Sequence, residues 1–187
     1  MRLFEELLPK DAWAVLSFEN PPFKSTRPVL SWGFSSKADI EACEIEPNSE
    51  GTRFCLRVQH QQIELQTPLS GRFNLENALC AAGLAHATGI SLDAIVQGLE
   101  TAITPKGRLQ RVYSSPGVFV DFAHTPDALE KVLKTLRDIC EGRLIVVFGC
   151  GGDRDRSKRP LMTQAALKYA DVLIATQDNP RHEDPRR

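Results

Sequence analysis

The sequence lacks the signatures of several protein classes. No stretch of its 187 residues approaches the ~20 consecutive apolar residues that a membrane-spanning helix needs. Lysine and arginine (23) nearly balance aspartate and glutamate (24), and the net charge is −1. We therefore expect no general attraction to nucleic acid or to an anionic membrane, and any anion site must be built locally from a few arginines and backbone N–H groups.

The five cysteines form neither a metal-ligand pattern nor a disulfide framework. Their number is odd, and they show no CxxC or Cys/His ligand spacing. Such a set is typical of reduced thiols in the cytoplasm, so we expect a cytoplasmic protein and assign no metal ligands within the sequence.

Two nucleotide-binding motifs are also missing. The order G-x-x-x-x-G-K-[S/T] of a P-loop does not occur, and Ser157-Lys158 is reversed and displaced from the nearest glycines. No G-x-G-x-x-G follows the first strand of the second half, which argues against a dinucleotide-binding protein.

The first half of the chain predicts strands followed by two helices. Apolar runs at 14–16 and 29–32 predict strands, and alternation over 53–58 that continues at 63–65 predicts a hairpin. The next stretch is rich in alanine and predicts a helix over 77–86 that Gly89 ends. The residues expected on the buried side of this helix are Leu79, Ala82 and Leu84.

Ser91 predicts the N-cap of a second helix, with an apolar stripe at Ala94, Ile95 and Leu99. Thr-Pro-Lys-Gly at 104–107 then interrupts the helical pattern. We place a domain boundary there, which gives domains at 1–106 and 107–187.

The second half alternates between strands and helices. Apolar strands are predicted near 118–120, 144–148 and 172–175, with helices opening at Thr125-Pro126 and spanning roughly 158–169. The run at 144–148 has no polar alternation, which predicts a parallel strand covered on both faces. The pattern predicts a doubly wound α/β sheet with these three strands parallel and adjacent.

Polar clusters follow each of the three strands. They are Asp-Phe-Ala-His-Thr-Pro at 121–126, Gly-Cys-Gly-Gly-Asp-Arg-Asp at 149–155 and Asp-Asn-Pro-Arg at 178–181. Ligands of open α/β sheets bind beyond the carboxyl ends of the strands, so we expect a site at this rim. Cations suited to carboxylate binding lie in or near the clusters: Arg154, Arg156, Lys158, Arg159 and Arg181.

Each cluster alone has a simpler interpretation. Asp121 could cap the following helix, and His124 could be an ordinary surface histidine. The glycines at 149–152 could form a tight turn only, since glycine adopts positive φ at low cost. Asp-Asn-Pro at 178–180 is a common turn sequence.

The clusters together resemble a known family. In order and spacing the chain is similar to the Mur ligases, specifically the UDP-N-acetylmuramoyl-tripeptide synthetases. The matching segments are Phe-Asn-Leu-Glu-Asn-Ala at 73–78, Gly107-Arg108, the cluster at 121–126, Val-Phe-Gly-Cys-Gly-Gly-Asp-Arg-Asp at 147–155, Lys-Arg-Pro-Leu-Met at 158–162 and the tetrad at 178–181.

The resemblance implies a three-domain ligase of peptidoglycan synthesis. In that family ATP, with Mg²⁺, phosphorylates a carboxylate of UDP-MurNAc-L-Ala-D-Glu, and the amine of a diamino acid attacks the acyl phosphate. By this resemblance Asn77 and Arg108 help to hold ATP between the central and C-terminal domains. Asp121 is then the ribose contact, with His124 beside it near the nucleotide.

The resemblance also implies a selector for meso-diaminopimelate. The tetrad Asp178, Asn179, Pro180 and Arg181 matches the family's selector, and Arg154 is expected as a second partner for a carboxylate. Diaminopimelate carries a distal carboxylate that lysine lacks, and an arginine binds such a group through two parallel hydrogen bonds.

By the same resemblance we expect this chain to be a fragment. It would hold the end of the central, ATP-binding domain (1–106) and the first part of a Rossmann-like C-terminal domain (107–187). The family's P-loop, carbamylated lysine and UDP-binding N-terminal domain have no counterpart, and Arg2-Leu3-Phe4 resembles the stretch just after that lysine. We therefore assign no catalytic residue and expect little activity from these residues alone.

Two alternatives remain open from the sequence. One is a non-catalytic remnant that binds nucleotide or amino acid. The other is a neighbouring ligase: Arg181 after Asn179-Pro180 argues against a lysine-adding enzyme, and the glycine cluster at 149–155 argues against a folylpolyglutamate synthetase.

Overall fold

The structure is a computed structural model that describes residues 9–21 and 25–184. The stretch at 2–4 matched above lies outside these residues. The chain divides into two compact units, Met1–Ile103 and Thr104–Arg187, which are described separately. The assignment of 1–106 and 107–187 to parts of two family domains stays a prediction.

The described part of the first unit contains a five-stranded sheet and two helices. The elements in chain order are β1 (Ala14–Ser17), β2 (Val29–Gly33), β3 (Ile40–Asn48), β4 (Gly51–Val58), β5 (Gln61–Thr67), α1 (Arg72–Ala87) and α2 (Leu92–Glu100). The strand order is β1-β2-β3-β4-β5. The first three strands are parallel, whereas β3, β4 and β5 form an antiparallel meander. The predicted hairpin is the β4–β5 pair, so that prediction is confirmed.

The core of the first unit lies between the sheet and its helices. Ile40, Leu56 and Leu79 are fully buried there. Helix α1 packs closely because Gly83 has no side chain: a Cβ at that position would lie 2.8 Å from Val15 Cγ1. Leu84, predicted to be buried, is 54% exposed. The next residue after Gly83 is rotated about 100° around the helix, which turns Leu84 away from the sheet.

The end of α1 and the start of α2 follow from local chemistry. Helix α1 is followed by Thr88 and then by Gly89 at φ 84°, the left-handed conformation that glycine adopts at helix ends. Ser91 Oγ accepts a hydrogen bond from the Ala94 N–H at 3.4 Å and caps α2. Ile95 and Leu99 are buried as predicted, whereas Ala94 is exposed.

The second unit carries two short sheets and two helices in its described residues. The elements are β6 (Gln110–Tyr113), β7 (Val118–Val120), α3 (Pro126–Ile139), β8 (Ile145–Phe148), α4 (Lys158–Tyr169) and β9 (Val172–Ala175). Strands β8 and β9 are parallel neighbours, as predicted. The prediction for β7 was wrong: it pairs antiparallel with β6, and the described sheets do not join it to β8. The preceding strand β6 forms a hairpin with it, which supplies its hydrogen-bond partners.

One face of the β8–β9 sheet is packed and the other is open. Leu129, Leu133 and Val146 form the packed side with residues of α4. Ile145 is 52% exposed and Val147 59% exposed, so the prediction that this strand is covered on both faces was wrong for the described residues. None of the described helices is long and apolar enough to cross a membrane.

Candidate functional site

Two loops meet at the carboxyl ends of β8 and β9. The glycine loop (149–157) follows β8, and the tetrad loop (176–184) follows β9. Phe148 and Ala175 are partners in the ladder, and the Thr176 N–H donates to the Phe148 carbonyl at 3.0 Å. Because parallel strands end at the same edge, both loops start side by side.

The loops pack backbone against backbone, which requires glycine. A Cβ at Gly149 would lie 2.6 Å from the Thr176 carbonyl oxygen, and one at Gly152 would lie 1.9 Å from the Pro180 carbonyl oxygen. The Gly152 N–H donates to the Asn179 carbonyl at 2.8 Å. The glycines are therefore a close-approach surface as well as a turn.

Arg181 is fixed against the glycine loop. Its guanidinium Nη1 donates to the Gly152 carbonyl, and its backbone N–H donates to Asn179 Oδ1 at 3.2 Å. Its φ is 48°, in the left-handed region. Proline at position 180 has a restricted φ of its own, which limits the paths that the loop can take to reach this conformation.

Three of the predicted selector residues gather over Gly151. The position that a Cβ would occupy there lies 3.3 Å from Arg181 Nη1, 3.5 Å from Asp178 Oδ2 and 3.8 Å from Arg154 Cγ. The structure thus brings together Arg154, Asp178 and Arg181. Asn179 and Pro180 contribute carbonyl groups and backbone shape.

A glutamate that the sequence did not single out as a site residue joins the two loops. Glu183 Oε1 accepts from the Asp153 N–H at 2.8 Å, and Glu183 Oε2 accepts from Arg159 Nη2 at 2.7 Å. Arg156 lies 3.3 Å from the same carboxylate. The hydrogen bond from Arg159, with the Asp153 N–H, lowers the pKa of Glu183 to about 2. The usable signal was a carboxylate two residues after the tetrad, opposite arginines in the glycine loop and at the start of α4.

These loops border a cleft of about 280 Å³. Residues that line it include Phe148, Cys150, Arg159, Thr163, Asp178 and Glu183. The cleft therefore combines apolar, cationic and anionic groups, as a zwitterionic ligand with a hydrocarbon chain would require.

Asp121 organises a second polar group in this unit. Its Oδ2 accepts from the Leu109 N–H at 2.6 Å, and its Oδ1 accepts from the Ala123 N–H at 2.7 Å. It is not the helix cap, because Thr125 Oγ1 accepts from the Ala128 N–H and caps α3. Each carboxylate oxygen has a second lone pair with which to accept a further hydrogen bond.

Arg108 and His124 flank the ring of Phe122. The Arg108 guanidinium carbon lies 5.4 Å from the ring centroid, and the His124 ring meets it edge-on at 5.4 Å. His124 Nδ1 lies 3.0 Å from the Phe122 carbonyl oxygen. Phe122 is 65% exposed. The structure thus brings together Arg108, Asp121 and His124. It adds Phe122 to this group, and the position of Phe122 inside the polar cluster at 121–126 was the sequence signal that could have identified it.

Asn77 lies on the exposed side of α1 in the first unit. Asn74, one turn earlier, is buried and donates from Nδ2 to the Ser70 carbonyl at 2.9 Å. The hydrogen bond that fixes Asn74 therefore does not hold Asn77. Across 9–21 and 25–184, no three histidine, cysteine or acidic side chains are placed to hold a metal ion.

Comparison with known families assigns both halves of the chain. Residues 1–85 match the Mur ligase middle domain, and residues 107–187 match the Mur ligase, glutamate ligase domain. The chain belongs to the Mur ligase family. The resemblance seen in the sequence and the predicted α/β class are thereby confirmed.

Relatives of this Mur ligase chain are considerably longer than it is. It is 41% identical over 191 aligned positions to the UDP-N-acetylmuramoyl-L-alanyl-D-glutamate--2,6-diaminopimelate ligase of Geobacillus thermodenitrificans. The alignment covers 98% of this chain and 39% of that relative. The chain thus spans about two fifths of the length of such ligases.

Two solved ligase structures also match most of this chain, which covers less than half of either one. A UDP-N-acetylmuramoyl-L-alanyl-D-glutamate--2,6-diaminopimelate ligase matches with a TM-score of 0.67 at 39% identity, over 93% of this chain and 38% of that one. The ligase from Acinetobacter baumannii that joins D-alanyl-D-alanine to UDP-N-acetylmuramoylalanyl-D-glutamyl-2,6-diaminopimelate matches with a TM-score of 0.73 at 25% identity. That match covers 91% of this chain and 40% of the other.

Proposed function

We propose that the chain is part of an ATP-dependent, cytoplasmic ligase that joins meso-diaminopimelate to UDP-MurNAc-L-Ala-D-Glu in peptidoglycan synthesis. The ligase from Geobacillus thermodenitrificans that it resembles is named for this reaction. The structural observation that carries the proposal is the gathering of Arg154, Asp178 and Arg181 over Gly151.

The charges of this group complement the amino acid. Diaminopimelate has an ammonium and a carboxylate at each end, and lysine lacks the distal carboxylate. Arg181 is anchored through Nη1 to the Gly152 carbonyl, and the rest of its planar fork suits a carboxylate. Arg154 supplies a second cation nearby, and Asp178 supplies an anion for the ammonium group.

The group around Asp121 suits a nucleotide. The free lone pairs of Asp121 can accept hydrogen bonds from ribose hydroxyls, the exposed Phe122 ring offers an apolar surface, and Arg108 offers a cation for phosphate. We assign His124 to the same ligand, and the role of Asn77 in holding ATP stays a prediction from the sequence. Bound ATP would supply the phosphoryl group that activates the substrate carboxylate as an acyl phosphate. Mg²⁺ would accompany the ATP, and we propose that its site lies largely outside these 187 residues.

A second candidate is a module that binds amino acid or nucleotide without turnover. These 187 residues contain no P-loop sequence, and phosphoryl transfer needs cations around the transferring group. We expect the 187-residue chain by itself to release no phosphate above background with ATP, Mg²⁺, UDP-MurNAc-L-Ala-D-Glu and diaminopimelate. Sustained turnover by this chain would contradict that expectation.

The proposed function is tested in a chimera in which residues 1–187 replace the matching segment of the Geobacillus thermodenitrificans ligase. We expect diaminopimelate-dependent phosphate release, and a loss of about 2–5 kcal/mol in kcat/KM for diaminopimelate on Arg181→Ala, with the KM for ATP nearly unchanged. Arg181→Lys should restore only part of the lost kcat/KM, because an ammonium cannot form the two parallel hydrogen bonds that a guanidinium makes to a carboxylate.

Arg143→Ala is the matched control, since Arg143 is an exposed arginine at the opposite end of β8. A folded Arg181→Ala chimera that still prefers diaminopimelate over lysine by the unmodified ratio would refute the selector. A chimera that binds both substrates but never forms the amide would favour the non-catalytic module.

A further inference from the structure

We infer that Glu183 is a positioning residue that sets the specificity of the amino-acid site by holding Arg181 in place. Glu183 would act by fastening the tetrad loop to the glycine loop. The inference rests on the proposed function in one respect: the ligand that Arg181 selects is taken to be diaminopimelate.

The carboxylate of Glu183 is enclosed by donors. Its side chain is 14% exposed, although it lies in a surface loop. It accepts hydrogen bonds from a backbone N–H of the glycine loop and from arginines at positions 156 and 159. An ordinary surface ion pair contributes little, but this one also fixes a backbone amide and joins three segments of chain.

Two consecutive amides of the glycine loop hold the tetrad loop on either side of Arg181. The Gly152 N–H donates to the Asn179 carbonyl, and the Asp153 N–H donates to Glu183 Oε1. Between these two anchors the Glu183 N–H donates to the Pro180 carbonyl at 2.9 Å and closes a turn. Arg181 is one of the two central residues of that turn, so its left-handed backbone is held from both ends.

Glu183 also borders the cleft, so a direct contact with the ligand is the competing interpretation. The two interpretations make different predictions. A direct contact with an ammonium group would act on diaminopimelate and lysine alike and would add to the effect of losing Arg181. Positioning would act only while the Arg181 side chain is present, because its effect passes through that side chain.

The charge of Glu183 persists across the working pH range. The hydrogen bond from Arg159 lowers its pKa to about 2, so the carboxylate is ionised at neutral pH. The substitution Glu183→Gln removes that charge while keeping the size of the side chain, and is therefore the most informative change.

The test is calorimetric titration of the 187-residue chain with meso-diaminopimelate and with L-lysine. We expect Glu183→Gln to weaken diaminopimelate binding about tenfold or more, with lysine binding nearly unchanged. In an Arg181→Ala background the same substitution should change diaminopimelate affinity by less than about twofold. Glu130→Gln is the matched control, because the Glu130 carboxylate accepts from Lys168 and Tyr169, residues outside the two loops.

Amide hydrogen exchange measured by NMR gives a readout that needs no ligand. Exchange at Gly152 should become faster in Glu183→Gln, because the bond to the Asn179 carbonyl would open more often. Should Glu183→Gln fail to fold, Arg159→Gln removes the partner from α4 and should speed Gly152 exchange in the same way.

Each outcome has a defined meaning. Equal losses for both amino acids, additive losses in the double variant, or unchanged diaminopimelate affinity would overturn the inference. If the unmodified chain binds no diaminopimelate, the titrations are made with the chimera described above, and a chimera that binds no diaminopimelate would refute the proposed function. Gly152 exchange in Glu183→Gln then decides the positioning role by itself: faster exchange supports it and unchanged exchange overturns it.

Discussion

The sheets of the two units bury their residues in different ways. In the first unit β4 keeps apolar residues such as Phe54 and Leu56 against the helices, and charged residues such as Arg57 on the other face, where it pairs with Glu41. In the second unit β8 is apolar on both faces, and Val147 on the open face is 59% exposed. The faces of β4 thus differ in polarity, whereas β8 has apolar side chains on both faces and only one of these faces is packed among the described residues.

This difference shows which interactions organise each unit. The first unit is organised by its core, because its most buried side chains lie in the sheet and α1. At the candidate site the second unit is organised by loops that contact through backbone atoms and arginine–carboxylate pairs. We therefore expect the two units to respond differently to substitution and to acid.

The largest effect is expected from the core of the first unit. Leu79→Ala removes a fully buried side chain and should lower the free energy of unfolding by about 2–5 kcal/mol. Both tryptophans, Trp13 and Trp32, lie in this unit, so denaturation followed by tryptophan fluorescence isolates it. Leu84→Ala, at an exposed position of the same helix, is the control; an equal loss there would show that the core does not dominate.

The next effect is expected at the joint between the loops. Gly152→Ala would place a Cβ 1.9 Å from a carbonyl oxygen, and forcing the loops apart should cost about 1–3 kcal/mol. Weaker diaminopimelate binding should accompany it. Gly142→Ala is the control because nothing lies within 4 Å of its would-be Cβ. Normal binding by Gly152→Ala would mean that the close contact is not needed.

Acid should affect the second unit before the first. Glu183 has its pKa lowered to about 2, and the Leu144 N–H, with Arg137, lowers the pKa of Asp171. A lowered folded-state pKa gives stability that is present above the ordinary carboxyl value and is lost as pH falls from about 4.5 toward 2. Hydrogen exchange of peptides from each unit measures this order, and Glu183→Gln should flatten the response of the tetrad loop. Simultaneous opening of both units would contradict the comparison.

The smallest effect on stability is expected at the open apolar face. Val147→Thr should change the free energy of unfolding by no more than about 0.5 kcal/mol, because the side chain is already largely exposed. It should nevertheless reduce the binding of a fluorescent hydrophobic dye, since this face presents apolar surface. Dye fluorescence that does not change would show that the dye binds elsewhere, such as in the first unit.

The sequence predicted best those elements whose signals were local. Helix α3 has its cap and first-turn proline, Thr125 and Pro126, and α4 spans the predicted residues. Strand β3 was missed because it carries charges and Pro47, and because its register shifts between Cys43 and Glu46, which destroys the alternation. The antiparallel partner of β7 was missed because β6 is only four residues long and largely exposed.

The candidate site also has features that the sequence could predict and features that it could not. The position of the two loops could be predicted, because strands that are neighbours in a parallel sheet end at one rim. The role of Glu183 could not, because it depends on which of several arginines its side chain meets. The clustering of Arg108 and His124 around Phe122 also depends on the conformation of the turn that Asp121 holds.

The missing Cβ atoms at Gly149 and Gly152 also bear on how specificity could be transplanted. Arg181 takes its direction from a carbonyl of the neighbouring loop, and that loop approaches closely only because two positions carry no side chain. Moving the arginine alone into another scaffold would therefore transfer its charge but not the contact that orients its guanidinium. Under the proposed function, the smallest portable unit of recognition is the pair of loops, so an engineer who wishes to exchange one diamino acid for another should graft residues 149–157 and 176–184 together.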